Sequence, residues 1–102
     1  MAEKKYRSID EITHNGVPLR EILEAHRAWV ESHRHEGRRA NLSKAEMGGD
    51  LLMRADLSEA DLGRADLSGV ILWYANLTRA NLAAANLAGA DLAGASLFEV
   101  NL

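Results

Sequence analysis

Ala55-Asp56-Leu57-Ser58-Glu59, Ala60-Asp61-Leu62-Gly63-Arg64 and Ala65-Asp66-Leu67-Ser68-Gly69 stand end to end and repeat one five-residue phrase. The phrase runs outward from there, to Ala40 on one side and Leu102 on the other. Its third position falls at 42, 47, 52 and onward to 102, thirteen times in one phase. Leucine fills that position except at Met47, and the residue two before it is alanine except at Asp50, Val70 and Val100. A short period sustained this long is the mark of a repeat architecture.

A helix repeats at 3.6 residues and a strand at 2, so a period of five fits neither alone. It divides into an extended triplet and a two-residue corner. Within the triplet the first and third side chains share one face and the middle one takes the other. Alanine and leucine then point inward, and aspartate or asparagine outward. The corner positions are rich in Gly, Ser and small residues, as tight turns prefer. The result is an all-β solenoid with a leucine-filled axis.

The A(D/N)LXX pattern of residues 40–102 resembles the pentapeptide-repeat family. The resemblance implies a right-handed quadrilateral β-helix with four pentads per coil, hence about three coils. It also brings a functional alternative. Some members protect DNA gyrase from drugs, and their acidic rods are thought to mimic duplex DNA. This array shares their repeat and their charge sign, but at the strand spacing three coils span only ~15 Å.

The chain divides into an N-terminal arm over 1–17, a helix over 18–36 and the array over 40–102. Pro18 suits the first position of a helix. Leu19, Ile22, Leu23, His26, Trp29, Val30 and His33 follow at helical spacing. Gly37 is a plausible stop. A short helix with one apolar stripe needs a surface to cover, and repeat arrays need their ends closed. The expectation is therefore a helix capping the start of the array.

Charge is uneven. Residues 40–102 carry four basic and eight acidic side chains, net −4, whereas residues 1–39 carry eight basic and seven acidic, net +1. This balance argues against direct nucleic-acid binding. With no cysteine there is no thiol chemistry. No apolar leader opens the chain, and no run approaches the ~20 apolar residues of a membrane span. A cytoplasmic protein with no membrane contact is expected.

His14, His26, His33 and His35 do not converge as zinc requires, because His35 leans away from the face shared by His26 and His33. Asp50 is discordant: it stands at an inward alanine position, where an unpaired carboxylate is costly. We read it as a structural acid with partners among Arg38, Arg39 and the helix histidines. No nucleophile–base pair, metal cluster or cofactor motif is present, and the leucine-filled axis leaves no room for a ligand. A non-enzymatic scaffold or protein-interaction module without cofactors is expected, with gyrase-binding DNA mimicry as the alternative.

Two surfaces draw attention. The large outward residues Leu51, Met53, Ile71, Trp73 and Tyr74 fall in two pentads twenty residues apart. With Arg54, placed to make a cation–π contact with Tyr74, they form a candidate protein-binding patch. The competing expectation is that residues 1–17, through Tyr6, Ile9 and Ile12, fold back over it. At the other end, Phe98, Val100 and Leu102 border an open strand edge, for which a two-fold homodimer is expected.

Overall fold

The computed structural model describes residues 7–49 and 52–102. Asp50, Leu51 and Tyr6, singled out above, lie outside the described residues. In the array, parallel backbone bridges join residues twenty apart, among them Asn41 to Asp61, Asp61 to Asn81 and Asn81 to Asn101. Two amides of a pentad donate forward to the next winding, as Leu57 does to the Asn76 carbonyl (2.8 Å) and Glu59 to Thr78 (2.8 Å). A third donates back, as Asn76 does to Ala55 (2.9 Å).

The corners are tighter than their composition suggests. Among the described residues the amide after a corner donates back over it, as Ala60 does to the Leu57 carbonyl (3.0 Å) and Ala75 to Leu72 (3.0 Å). The fifth residue of the pentad has positive φ at all twelve positions from 44 to 99. That bond and that φ are the signature of a type II turn, which favours glycine at its third residue. Only Gly49, Gly69, Gly89 and Gly94 meet the preference; Lys44, Arg54, Glu59, Arg64, Tyr74, Arg79, Ala84 and Glu99 adopt it regardless. The cost is on the order of 1 kcal/mol each. It is offset by the two ladder bonds and the inward leucine that each corner sets in place.

The described part of the N-terminal arm forms a hairpin. Strands β1 (Thr13–His14) and β2 (Val17–Pro18) pair antiparallel around Asn15-Gly16. Both loop residues have positive φ, +52° and +79°, as a two-residue type I′ hairpin demands. Arg7 binds the array edge, its amide donating to the Gly49 carbonyl (2.9 Å) and its guanidinium to Glu46 and Gly48. Ile12 is buried, and Ile9 packs against the same core.

Helix α1 spans Leu19–Glu31, with Pro18 as its N-cap. It is shorter than the 18–36 expected. Trp29 accepts from the Arg34 amide (2.7 Å) and Val30 from His33 (3.2 Å). With His33 at φ +55°, these two bonds make a Schellman stop at His33. The stop turns His33 out to solvent, off the apolar stripe. Gly37 serves a different purpose: an added Cβ would stand 2.2 Å from the Ala25 carbonyl and 2.8 Å from the Ala28 Cβ. Glycine lets the returning chain cross close over α1, where the Arg38 amide donates to Ala25 (3.0 Å).

One core joins these parts. Ile12 and Leu19 share it with Leu42, Met47, Leu57, Leu62, Leu67, Leu72 and Leu77, and Ile22 and Leu23 flank it. Toward the other end burial fades: Leu82 is 2% exposed, Leu97 41% and Leu102 77%. Leu67 is wholly buried with windings on both sides. Leu67→Ala should cost about 2–5 kcal/mol and Leu67→Asp should abolish folding, as read by urea denaturation followed by circular dichroism.

Candidate interaction surfaces

The patch expected around Trp73 is present in part. Met53 (47% exposed), Trp73 (41%) and Tyr74 (66%) stand in solvent at one corner of the solenoid. Arg54 lies over the Tyr74 ring at 5.6 Å from its centroid. Beneath the ring lies Gly94, where an added Cβ would meet Tyr74 Cδ1 at 2.6 Å. The ring is therefore held between a guanidinium and a bare Cα, each twenty residues away in sequence. Ile71 departs from expectation. It is outward by register but only 9% exposed, so it adds no surface to the patch.

Residues 7–17 reach this corner no further than Arg54. Arg7 engages Glu46, Gly48 and Gly49, while Ile9 joins Leu23, Arg54 and Ala55 around a hollow at the α1 end. The described part of the arm thus packs on the start of the array and leaves Trp73 and Tyr74 open. Phe98, on the neighbouring corner, is 64% exposed, and Val100 is half-buried.

The outward aspartates and asparagines have a defined task. From Asn41 to Asp91 each accepts, through Oδ1, a bond from the backbone amide two residues on, as Asp56 does from Ser58 (3.1 Å) and Asn86 from Ala88 (3.0 Å). Aspartate and asparagine share that oxygen, which explains their interchange and separates the fold from the charge. Amides also link windings: Asn101 Nδ2 donates to Asn81 Oδ1 (3.0 Å), and Asn81 Nδ2 to Asp61 Oδ1 (3.2 Å). At Asp66 the Ser68 hydroxyl, followed by the Ser68 amide, holds the carboxyl below its usual range.

Charges pair where α1 meets the array. Arg34 bonds the Glu59 carboxylate and lies over the Trp29 ring at 5.3 Å, and Arg39 Nε donates to the Glu59 carbonyl (2.6 Å). One winding on, Arg79 pairs with Glu99 (2.9 Å). Where α1 meets Ser58, His26 is wholly buried. Its Nδ1 accepts from the Ala40 amide (2.9 Å), and its Nε2 lies 2.7 Å from the Ser58 carbonyl. An amide can only donate and a carbonyl can only accept, so the ring is neutral with its proton on Nε2. Its placement on the apolar stripe was legible in sequence; these two partners were not, since both are backbone groups distant along the chain.

A groove of about 440 Å³ lies between hairpin, helix and array, with Val17, Ile22, Ala25 and Ala40 forming apolar walls and Arg38 and Arg39 at its edge. Among the described residues no group of three His, Asp or Glu is placed to hold a metal, and no helix is long and apolar enough to cross a membrane.

The sandwich at Tyr74 has a measurable consequence. Gly94→Ala should destabilise the protein more in the wild type than in a Tyr74→Ala background. The difference, on the order of 1 kcal/mol, would be read from a double-mutant cycle of urea midpoints. Equal losses in both backgrounds would show that the φ of +70° at Gly94, rather than the ring, demands glycine.

Comparison with known proteins agrees with the geometry. The family model for pentapeptide repeats matches residues 38–73 and 75–102 in eight copies. A crystal structure of a pentapeptide repeat protein from the Arabidopsis thaliana thylakoid lumen superposes with a TM-score of 0.59 at 34% identity, over 60% of this chain and 42% of that one. Rfr23, a pentapeptide repeat protein from the cyanobacterium Cyanothece 51142, gives 0.47 at 43% identity, over 61% of this chain and 46% of that one. The chain spans less than half the length of each of these structures. No curated protein matches it. Proteins of this family form right-handed quadrilateral β-helices. With its A(D/N)LXX array, its twenty-residue bridge spacing and a family match over most of its length, the chain belongs to the pentapeptide-repeat family.

Proposed function

We propose that this protein is a non-enzymatic interaction module in which a β-helix of about three coils, closed at its start by α1, presents the Met53–Arg54–Trp73–Tyr74 corner to a protein partner. The observation that carries the reading is Tyr74, 66% exposed yet held between Arg54 and Gly94. Exposed aromatic groups beside arginine are the residues that dominate protein interfaces, and a ring already held in place loses little freedom on binding. The closed start is supported by the shared core of Ile12, Leu19 and the leucine ladder. A cytoplasmic location and the absence of cofactors belong to the same proposal.

The gyrase alternative is less well supported. Five of the nine outward Asp or Asn positions are uncharged asparagine. Glu59 and Glu99 are paired with arginines, which breaks any continuous anionic row. Purified protein at micromolar concentration should leave gyrase supercoiling unchanged, and inhibition or drug protection would favour the mimic.

For the interaction reading, Trp73→Ala with Tyr74→Ala should abolish association with partners captured from the source organism, while the melting temperature stays within a few degrees. A photo-crosslinker at Met53 should capture the same partner. Association that survives the double substitution would count against this corner. A homodimer through Phe98, Val100 and Leu102 is proposed separately, supported by the exposed Leu97 and Leu102. Light scattering should report a dimer that Phe98→Asp converts to monomer.

A further inference from the structure

We propose that protonation of His26 releases helix α1 from the array while the β solenoid stays folded, making the ring an acid-opened latch. The argument starts from donors and acceptors. His26 Nδ1 receives the Ala40 amide at 2.9 Å and Nε2 donates to the Ser58 carbonyl at 2.7 Å. An imidazolium carries hydrogen on both nitrogens. The second proton would have to occupy the Nδ1 lone pair that the Ala40 N–H already uses. Two donors would then face each other in a wholly buried site. Charging the ring therefore requires the contact to break.

The surroundings decide the balance. From the array, Asp56 and Glu59 favour the cation; from the connector, Arg39 opposes it; on α1 itself the neighbour is the neutral Trp29 ring, stacked at 5.6 Å. Burial outweighs the acids and holds the ring below its ordinary value of 6.5, with the Ser58 carbonyl pulling the other way. The sign follows. Above pH 6.5 the ring is neutral in both states and the latch contributes fully. Below it the freed helix takes up a proton that the latched ring resists. The opened population then rises about tenfold per pH unit, until the lowered folded-state value is reached.

The two sides of the latch differ in how they are held. Among the described residues, α1 and the connector make polar contacts with the array through His26, Arg34 and Arg39, all of which meet one corner, Ser58-Glu59, with His26 also holding the Ala40 amide. The array is held by its own ladder, independent of that corner beyond the first winding. Local opening at the weaker junction is the expected response. It would bare the apolar end of the core at Leu42, Met47 and Leu57. The inference concerns the α1–array contact and no partner, so it stands or falls apart from the interaction surface proposed above.

Hydrogen exchange followed by mass spectrometry on the full chain tests it, between pH 7.5 and 5 and corrected for the intrinsic pH dependence of exchange. Protection of residues 19–31 should fall about tenfold per pH unit below 6.5, while residues 65–86 keep theirs. His26→Gln, which hydrogen-bonds but never charges, should flatten that response. Equal pH responses in wild type and His26→Gln, or loss of protection in α1 and array together, would overturn the proposal. Should His26→Gln fail to fold, the wild-type ring decides: its nitrogen resonances should show the Nε2–H tautomer persisting well below pH 6.5. An ordinary titration near 6.5 with α1 still protected would refute the latch.

Discussion

The bond that each inward amide from Leu42 to Leu82 makes to a carbonyl nineteen residues on is the constraint on which everything else in the array depends. A strand edge leaves its backbone groups unpaired, and burying them unpaired is costly. Here the partner is the next winding of the same chain, so the pairing repeats only if every side has the same length. A single inserted residue would shift alanine outward, aspartate or asparagine inward and leucine into a corner. This explains why the five-residue phase is unbroken over thirteen pentads, even where the residue types depart from it.

The same constraint separates what the fold needs from what it leaves free. It uses a carboxylate or amide oxygen at most second positions, though Ile71 and Ser96 keep their bridges without one, and it holds a left-handed backbone at the fifth. It does not need a charge, and it does not need glycine at every corner. Surface identity can therefore vary column by column while the coil stays fixed. One fifth-position column reads Gly49, Gly69, Gly89 and is bare; another reads Arg54, Tyr74, Gly94 and builds the exposed ring. Functional variation in such a scaffold is written in these columns rather than in loops, which is the usual place for it.

The N-terminal segment solves a different problem. Stacked windings bury their leucines against each other, but the first has a neighbour on one side only. Ile12 and Leu19 supply the apolar contact, and His26 satisfies a carbonyl and an amide that the ladder leaves over in the first winding. Histidine is the one side chain that can accept on one nitrogen and donate on the other while also losing that ability near neutral pH. The junction therefore combines stability with a sensitivity that the leucine ladder lacks.

The repeat by itself determined the solenoid, the inward leucines and the outward acceptors, and the helical spacing from Leu19 to His33 the amphipathic helix, because each follows from a periodicity along a short local stretch. The stacking of Arg54 on Tyr74 was legible too, once the twenty-residue register was assumed. Only the tertiary structure decided matters that depend on groups far apart in sequence. It closed α1 at His33 rather than beyond Glu36, because two backbone bonds and a left-handed residue end a helix before composition does. It buried Ile71, which the alternation had placed in solvent. It assigned Gly37 and Gly94 to close approach rather than to flexibility. And it turned His26 from one apolar-stripe residue among seven into the buried tie between helix and array, since the Ala40 amide and the Ser58 carbonyl carry no sequence signal of their own.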